Sequence, residues 1–199
     1  LEQVLSIDFF TVHPQAYWEW FAQENAREGV APNDAHRFVA DLERAGKLSA
    51  VVTQNIDGLH QRAGSERVLE LHGNWSRLTC TVCGERFTLD DVDGARSSEV
   101  PHCPTCASVL RPDIVFYGEM LDSDVIEGAV RAILEADLLI VAGTSLVVYP
   151  AAGLIDYYAG ERLVLMNATP TPYDSRADLI IREPVGQVFE ELGRRSRRP

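Results

Sequence analysis

Four cysteines in two Cys-x-x-Cys pairs, Cys80/Cys83 and Cys103/Cys106, constrain this chain more than any other feature. The pattern C-x2-C-x19-C-x2-C brings four thiolates around one tetrahedral ion, and all-thiolate ligation closes the coordination shell. It predicts a structural zinc site that staples a segment too short to fold on its own core. Iron in the same geometry is the competing assignment. His102, beside Cys103, is read as a bystander. No basic-then-apolar leader follows Leu1, so a disulfide framework is the weaker reading and a cytoplasmic setting is expected.

Around the cysteines, apolar runs alternate with helical patterns. "HPQAYWEWFAQENAREG" reads as a helix opened by Pro14 and closed near Gly29, its aromatic residues taken mainly as core packing. "NDAHRFVADLERAG" reads as a second helix, capped by Asn33 or Asp34 and ended by Gly46. Strands are expected at "LSAVVTQ", "RVLELHG", "DLLIVAG", "RLVLMN" and "DLIIR", with helices at about Ser123–Ala136, in "AAGLIDYYAG" and in "VGQVFEELGRR". Continuous apolar strands separated by helices indicate an α/β fold, a Rossmann-like parallel sheet with helices on both faces. The expected organisation is one such domain over 1–76 and 107–199, its first 32 residues a helical segment of a small lobe, with a zinc-binding insert at 77–106.

Composition narrows the function classes. With 46% apolar and 24% charged residues the chain is globular, and a net charge of −12 argues against nucleic acid or an anionic membrane as a direct partner while suiting basic protein tails. The uncharged run Leu138–Ile155 contains Gly143, Pro150 and Gly153, which favours strand–loop–helix over a membrane span.

Polar residues at strand ends outline a site. "AVVTQNIDGLHQRAG" places Asn55, Asp57 and His60 after a strand, and "LELHG" adds His72. Gly143, Thr144 and Ser145 stand between a strand and a helix, where small residues let backbone N–H groups approach a phosphate or ribose, and Asn167 repeats the arrangement after the next strand. No G-x-G-x-x-G fingerprint occurs in these residues, which disfavours a hydride-transfer dehydrogenase.

Taken together, "TQNIDGLHQRAG", "LELHG", the four cysteines, "RPDIVFYGE", "GTSLVVYPAA" and "LVLMN" resemble the sirtuins, NAD-dependent protein-lysine deacylases, in order and approximate spacing over nearly the whole chain. The resemblance implies a reaction in which an acetyl oxygen attacks the ribose carbon of NAD, nicotinamide leaves, and the acyl group ends on ADP-ribose. It implies that His72 is the general base toward a ribose hydroxyl, a task suited to an imidazole. Gln54 and Asn55 would contact the nicotinamide-side ribose, and Ile56 and Asp57 the leaving carboxamide. Gly143, Thr144, Ser145, Asn167 and the backbone of Val185 would hold the rest of NAD. Val115 would offer its carbonyl to the acetyl-lysine N–H, Phe116, Tyr117 and Val148 would wall an apolar tunnel, and Gly118, Glu119 and Met120 would present a strand edge to the peptide. His60 carries no implied role. The helix has Trp20 three residues after Tyr17 where succinyl-removing members carry Arg, so the bacterial deacetylase type is implied and acidic acyl groups are disfavoured. The family's Gly-Ala-Gly-x-Ser turn and Gly-x-x-Asp-Phe-Arg segment do not occur in these residues. ADP-ribosyl transfer or NAD hydrolysis, and a non-catalytic zinc-stapled NAD-binding module, are the alternatives.

Overall fold

The computed structural model describes residues 2–25 and 30–196. Gly29 and the end of the basic tail lie outside the described residues. In chain order the elements are α1 (Ile7–Val12), α2 (Pro14–Asn25), α3 (Asp34–Arg44), β1 (Val51–Thr53), α4 (Leu59–Arg62), β2 (Val68–Glu70), β3 (Gly73–Cys80), β4 (Arg86–Thr88) and β5 (Leu110–Ile114). There follow α5 (Ser123–Leu134), β6 (Leu139–Ala142), a 3-10 helix (Ala151–Tyr157), β7 (Leu163–Met166), a 3-10 turn (Asp174–Arg176), β8 (Leu179–Ile181) and α6 (Val185–Ser196). None of the described helices is long and apolar enough to cross a membrane.

Two compact units divide these elements. The first comprises 1–30, 55–58 and 72–121. It is broader than the expected 77–106 insert, because β3 starts at Gly73 and runs to Cys80, pairing antiparallel with β4 on one side and β5 on the other. The cysteine segment thereby shares a sheet with the residues that precede it. Gln15 of α2 also donates from its side chain to the Ser98 carbonyl at 2.9 Å, tying the helix to the stretch between the cysteine pairs. Pro14 opens α2, where its missing N–H costs nothing. α1 is the helix that sequence periodicity missed; Ser6 caps it, its hydroxyl oxygen accepting from the Phe9 N–H at 3.2 Å.

Rings fill the interior of this unit. Phe10, Tyr17, Trp18, Phe21 and Phe116 are buried together with Leu78, Leu110, Cys80 and Cys103. Phe10 stacks on Phe116 at 5.2 Å, and the edges of Trp18 and Tyr17 meet neighbouring ring faces, the geometry that aromatic quadrupoles prefer.

The second unit comprises 31–54, 59–71 and 122–199. Its strands are all parallel, as expected, but form a two-stranded sheet β1-β2 and a three-stranded sheet β6-β7-β8 rather than one. Each is also shorter than its apolar run: "LSAVVTQ" contributes only Val51–Thr53. The core is aliphatic, with Leu71, Ala129, Ile133, Leu154, Ile155, Leu163 and Leu165 packed around α5 and the 3-10 helix. Asn33 caps α3, and Gly46 beyond its end takes a φ of +66°, open to glycine at little cost.

Candidate functional site

In the first unit, the turn at 55–58 is joined to the start of β3. Trp75 donates its N–H to the Ile56 carbonyl at 3.1 Å. Gly58 has a φ of +67°, and a Cβ there would sit 3.1 Å from the Nδ2 of Asn74, so the turn lies directly on that side chain. Asn74 is buried, and its Oδ1 accepts from both the Ser76 N–H (2.9 Å) and the Ser76 hydroxyl (2.7 Å). Asn74 was not singled out from sequence; a polar residue two places after His72, at the head of a strand, was the available signal.

His72 stands between these contacts and β5. Its carbonyl accepts from the Val115 N–H at 3.0 Å. The next residue must be glycine: Gly73 has a φ of +75°, and a Cβ there would fall 2.1 Å from the Asp113 carbonyl oxygen. This close approach brings the 55–58 turn, His72 and Val115 onto one strand head. Asn55 is exposed, whereas Ile56, Asp57 and His72 are half-buried.

Beyond Val115 the chain departs from the expected lining. Phe116 is only 1% exposed, so its ring belongs to the aromatic core rather than to a channel wall. Tyr117 is half-exposed and bonds through its backbone to Leu5 and to the first residue of α1, its N–H donating to Leu5 (2.8 Å) and its carbonyl accepting from Ile7 (3.1 Å). The Glu119 carboxylate is taken up by Arg111 and by the Phe116 N–H. Gly118 adopts a φ of +96°, and Met120 is exposed.

The four cysteine sulfurs lie within 4.8 Å of one another, with Cys80 Sγ 3.4 Å from Cys106 Sγ and Cys83 Sγ 3.7 Å from Cys103 Sγ. Zinc–sulfur bonds of about 2.3 Å in a tetrahedron need sulfurs roughly 3.8 Å apart, so the donor set and its spacing fit one zinc ion. Cys80 and Cys103 are buried and Cys83 and Cys106 exposed, which leaves the ion at the edge of the core. Hydrogen bonds from Ser108, its side chain first, draw the Cys106 thiol down to about 6, toward the thiolate that metal requires. His102 is exposed and lies outside the ligand group.

The second unit carries the remaining residues at strand ends. Gln54 follows β1, and Thr53 accepts the Leu71 N–H at 2.9 Å. Gly143 follows β6 with a φ of +66° and donates its N–H to Met166 at 2.9 Å. The Thr144 hydroxyl accepts from the Leu146 N–H at 3.2 Å, and Leu146 is buried with a φ of +54°. Ser145 and Val148 are exposed on this loop. Asn167, after β7, donates from Nδ2 to the Thr169 carbonyl at 2.8 Å. Its carbonyl accepts from Arg182, which also bonds the Thr169 carbonyl, both at 2.9 Å, and which pairs with Asp174. The Thr171 hydroxyl, with Arg182, holds the Asp174 carboxyl below the usual range. Arg182 and Asp174 therefore shape the Asn167 turn; the signal in sequence was a charge placed directly after the apolar run "LII". Val185 opens α6, half-buried. His60 lies in α4 with its ring 4.8 Å from that of His36. The concavities along α3, one lined by Phe38 and Phe189 and one by Arg44 and Arg62, contain none of these residues.

Residues 1–150 match the Sir2 family. An NAD-dependent protein deacetylase of Clostridium acetobutylicum is 48% identical over 191 residues, covering 96% of this chain and 78% of its own length. One of Staphylococcus aureus is 42% identical over 191 residues, covering 96% of this chain and 77% of its own. Among solved structures, Sir2 bound to acetylated peptide superposes with a TM-score of 0.89 at 42% identity, over 98% of this chain and 83% of that one. A Sir2 homologue–NAD complex gives a TM-score of 0.89 at 39% identity, over 98% and 77%. The chain belongs to the Sir2 family.

Proposed function

We propose that this protein is an NAD-dependent protein-lysine deacetylase and that its reacting groups gather at the head of β3. NAD, when bound, supplies the electrophilic ribose carbon and the leaving nicotinamide. His72 takes a proton from a ribose hydroxyl, a step for which general-base catalysis contributes about 100- to 10,000-fold. Asn55 and Gln54 orient the ribose, and Ile56 and Asp57 receive the carboxamide, whose amide N–H a carboxylate can accept. Gly143, Thr144, Ser145, Asn167 and Val185 hold the remainder of NAD through backbone and short polar groups. Val115 accepts the acetyl-lysine N–H, Val148 and Tyr117 border the acyl group, and the backbone of Gly118–Met120 pairs with the substrate peptide. An apolar surround favours the neutral acetylated side chain over a lysine ammonium, which is costly to desolvate. Zinc holds the cysteine segment and takes no part in the chemistry. Cytoplasmic residence belongs to the same proposal, supported by a site that needs reduced thiols.

The observation that carries this reading is the pair of backbone hydrogen bonds flanking His72: Trp75 N–H to Ile56 and Val115 N–H to His72. They tie the 55–58 turn and Val115 to the backbone on either side of position 72, which supports reading these residues as one group. Nicotinamide release should depend on acetylated peptide and fall about 100- to 10,000-fold in His72→Ala. Release at full rate without peptide would instead assign NAD hydrolysis, and ADP-ribose found on protein would assign ADP-ribosyl transfer.

A further inference from the structure

We propose that Arg111 and Glu119 are positioning residues for the acyl-lysine site, a clamp that aims the Val115 carbonyl while neither side chain touches the acyl group. The inference rests on the reading of Val115 as the acceptor for the acetyl-lysine N–H. Arg111, on β5, presents its guanidinium edge-on to Glu119, Nη1 to Oε1 and Nη2 to Oε2, each at 2.7 Å. Such a two-point pair fixes orientation as well as distance. Its Nη2 also reaches the Ile114 carbonyl at 2.9 Å, and the guanidinium carbon lies 5.0 Å from the centre of the buried Phe116 ring. Arg111 is thus held at both ends of the loop it serves.

Glu119 completes the device. Its Oε2 accepts the Phe116 N–H at 2.9 Å. That N–H belongs to the same peptide plane as the Val115 carbonyl. The plane is rigid and this bond is trans, so the carbonyl points opposite to the N–H. Fixing the Phe116 N–H on Glu119 therefore turns the Val115 oxygen away from the clamp. The Val115 N–H, held on His72 at 3.0 Å, fixes the preceding peptide plane as well. Partial burial pushes the Glu119 carboxyl up, but hydrogen bonds from Arg111 and Phe116 outweigh it and hold the group below the usual carboxylate range. The clamp is therefore fully charged above that range and is lost only as pH falls through the lowered value.

The shape of the clamp predicts which replacements fail. Gln at 119 keeps one acceptor oxygen and cannot serve both Nη groups and the Phe116 N–H. Lys at 111 keeps the charge but loses the planar fork.

The test compares two labelled short peptides by fluorescence anisotropy, one carrying acetyl-lysine and one carrying its ester isostere, which lacks the N–H. The wild-type protein should bind the amide about tenfold more tightly, the worth of one well-aimed hydrogen bond. In Glu119→Gln that preference should shrink to about twofold, and Arg111→Lys should do the same. The ratio is taken within each variant, so a partly folded sample scales both constants equally and leaves it unchanged. Variants that keep the tenfold preference would overturn the clamp while leaving the Val115 assignment intact. Equal binding of both peptides by the wild-type protein would overturn the Val115 assignment and the clamp with it.

Discussion

The first unit fills its interior largely with rings and sulfur, the second mainly with aliphatic side chains, Tyr158 and Tyr173 being the rings in its core cluster. All three tryptophans, Trp18, Trp20 and Trp75, fall in the first unit, while the core of the second is dominated by leucine, isoleucine and alanine. Their sheets differ in kind too. The first is antiparallel and built on the eight-residue β3; the second is parallel, with strands of three or four residues. The stretch between the cysteine pairs has only β4 as regular structure, and a bound zinc ion would supply the constraint that so short a segment lacks. The parallel unit draws its constraint from repeated strand–helix packing. The residues proposed for its part of the site accordingly stand at strand ends, whereas those proposed in the first unit are held by a close-packed strand head.

This contrast makes metal removal the largest expected perturbation. Structural zinc contributes on the order of 10–16 kcal/mol of apparent binding energy in small metal-folded domains. Cys103→Ser, or stripping the ion with a strong chelator, should red-shift tryptophan emission and abolish the near-ultraviolet circular dichroism of the aromatic cluster. The far-ultraviolet helical signal of α3, α5 and α6 should largely persist. Tryptophan emission that stays native after metal analysis confirms the loss of zinc would break the comparison at its base.

A cavity in the other core sharpens it from the opposite side. Leu165 is 1% exposed, in the middle of β7 between β6 and β8. Truncation to Ala should cost about 2–5 kcal/mol through lost transfer energy and an unfilled void. Thermal melting followed by far-ultraviolet circular dichroism should move to lower temperature, and the tryptophan-monitored transition should move less. Equal displacement of both signals would mean that the two cores melt as one, and the division into rings and aliphatics would then have no energetic content.

The two regions were not equally legible in the sequence. The cysteine spacing identified the metal site because four ligands at two short intervals admit few geometries. The parallel unit was legible as a class from its apolar runs, but not in the length or partition of its strands: "LSAVVTQ" yields three paired residues, and "RVLELHG" is split between β2 and Gly73 of β3, because pairing depends on neighbours outside each run. The site residues on the 55–58 turn and at His72 were visible as polar side chains after apolar runs. Asn74, Arg111 and Arg182 were not: Asn74 bonds Ser76 within its own strand, Arg111 bonds the Ile114 carbonyl and the Glu119 carboxylate, and Arg182 reaches back to the carbonyls of Asn167 and Thr169, contacts that no periodicity marks. Phe116 shows the same limit: an aromatic residue in a polar loop reads equally well as lining or as core, and its burial is decided by Phe10 and Tyr17, a hundred residues earlier.

The smallest effect should come from a helix cap, and it tests whether the second unit is as tolerant as its repetitive packing implies. The Asn33 Oδ1 accepts the His36 N–H at 3.2 Å, covering one of the donors that the first turn of α3 leaves without a helical partner. α3 is anchored elsewhere, with the Phe38 ring 5.6 Å from that of Phe189 on α6. Asn33→Ala should therefore cost about 1 kcal/mol and lower the far-ultraviolet melting temperature by about 2–4 °C, leaving tryptophan emission unchanged. Asn33→Asp keeps the acceptor and adds a negative charge at a helix N-terminus, so its melting temperature should equal or exceed that of the wild type. If Ala and Asp melt together, the cap contributes nothing, and α3 is held by its packing against α6 and by the Glu43 carboxylate, which accepts the Glu66 and Arg67 N–H groups.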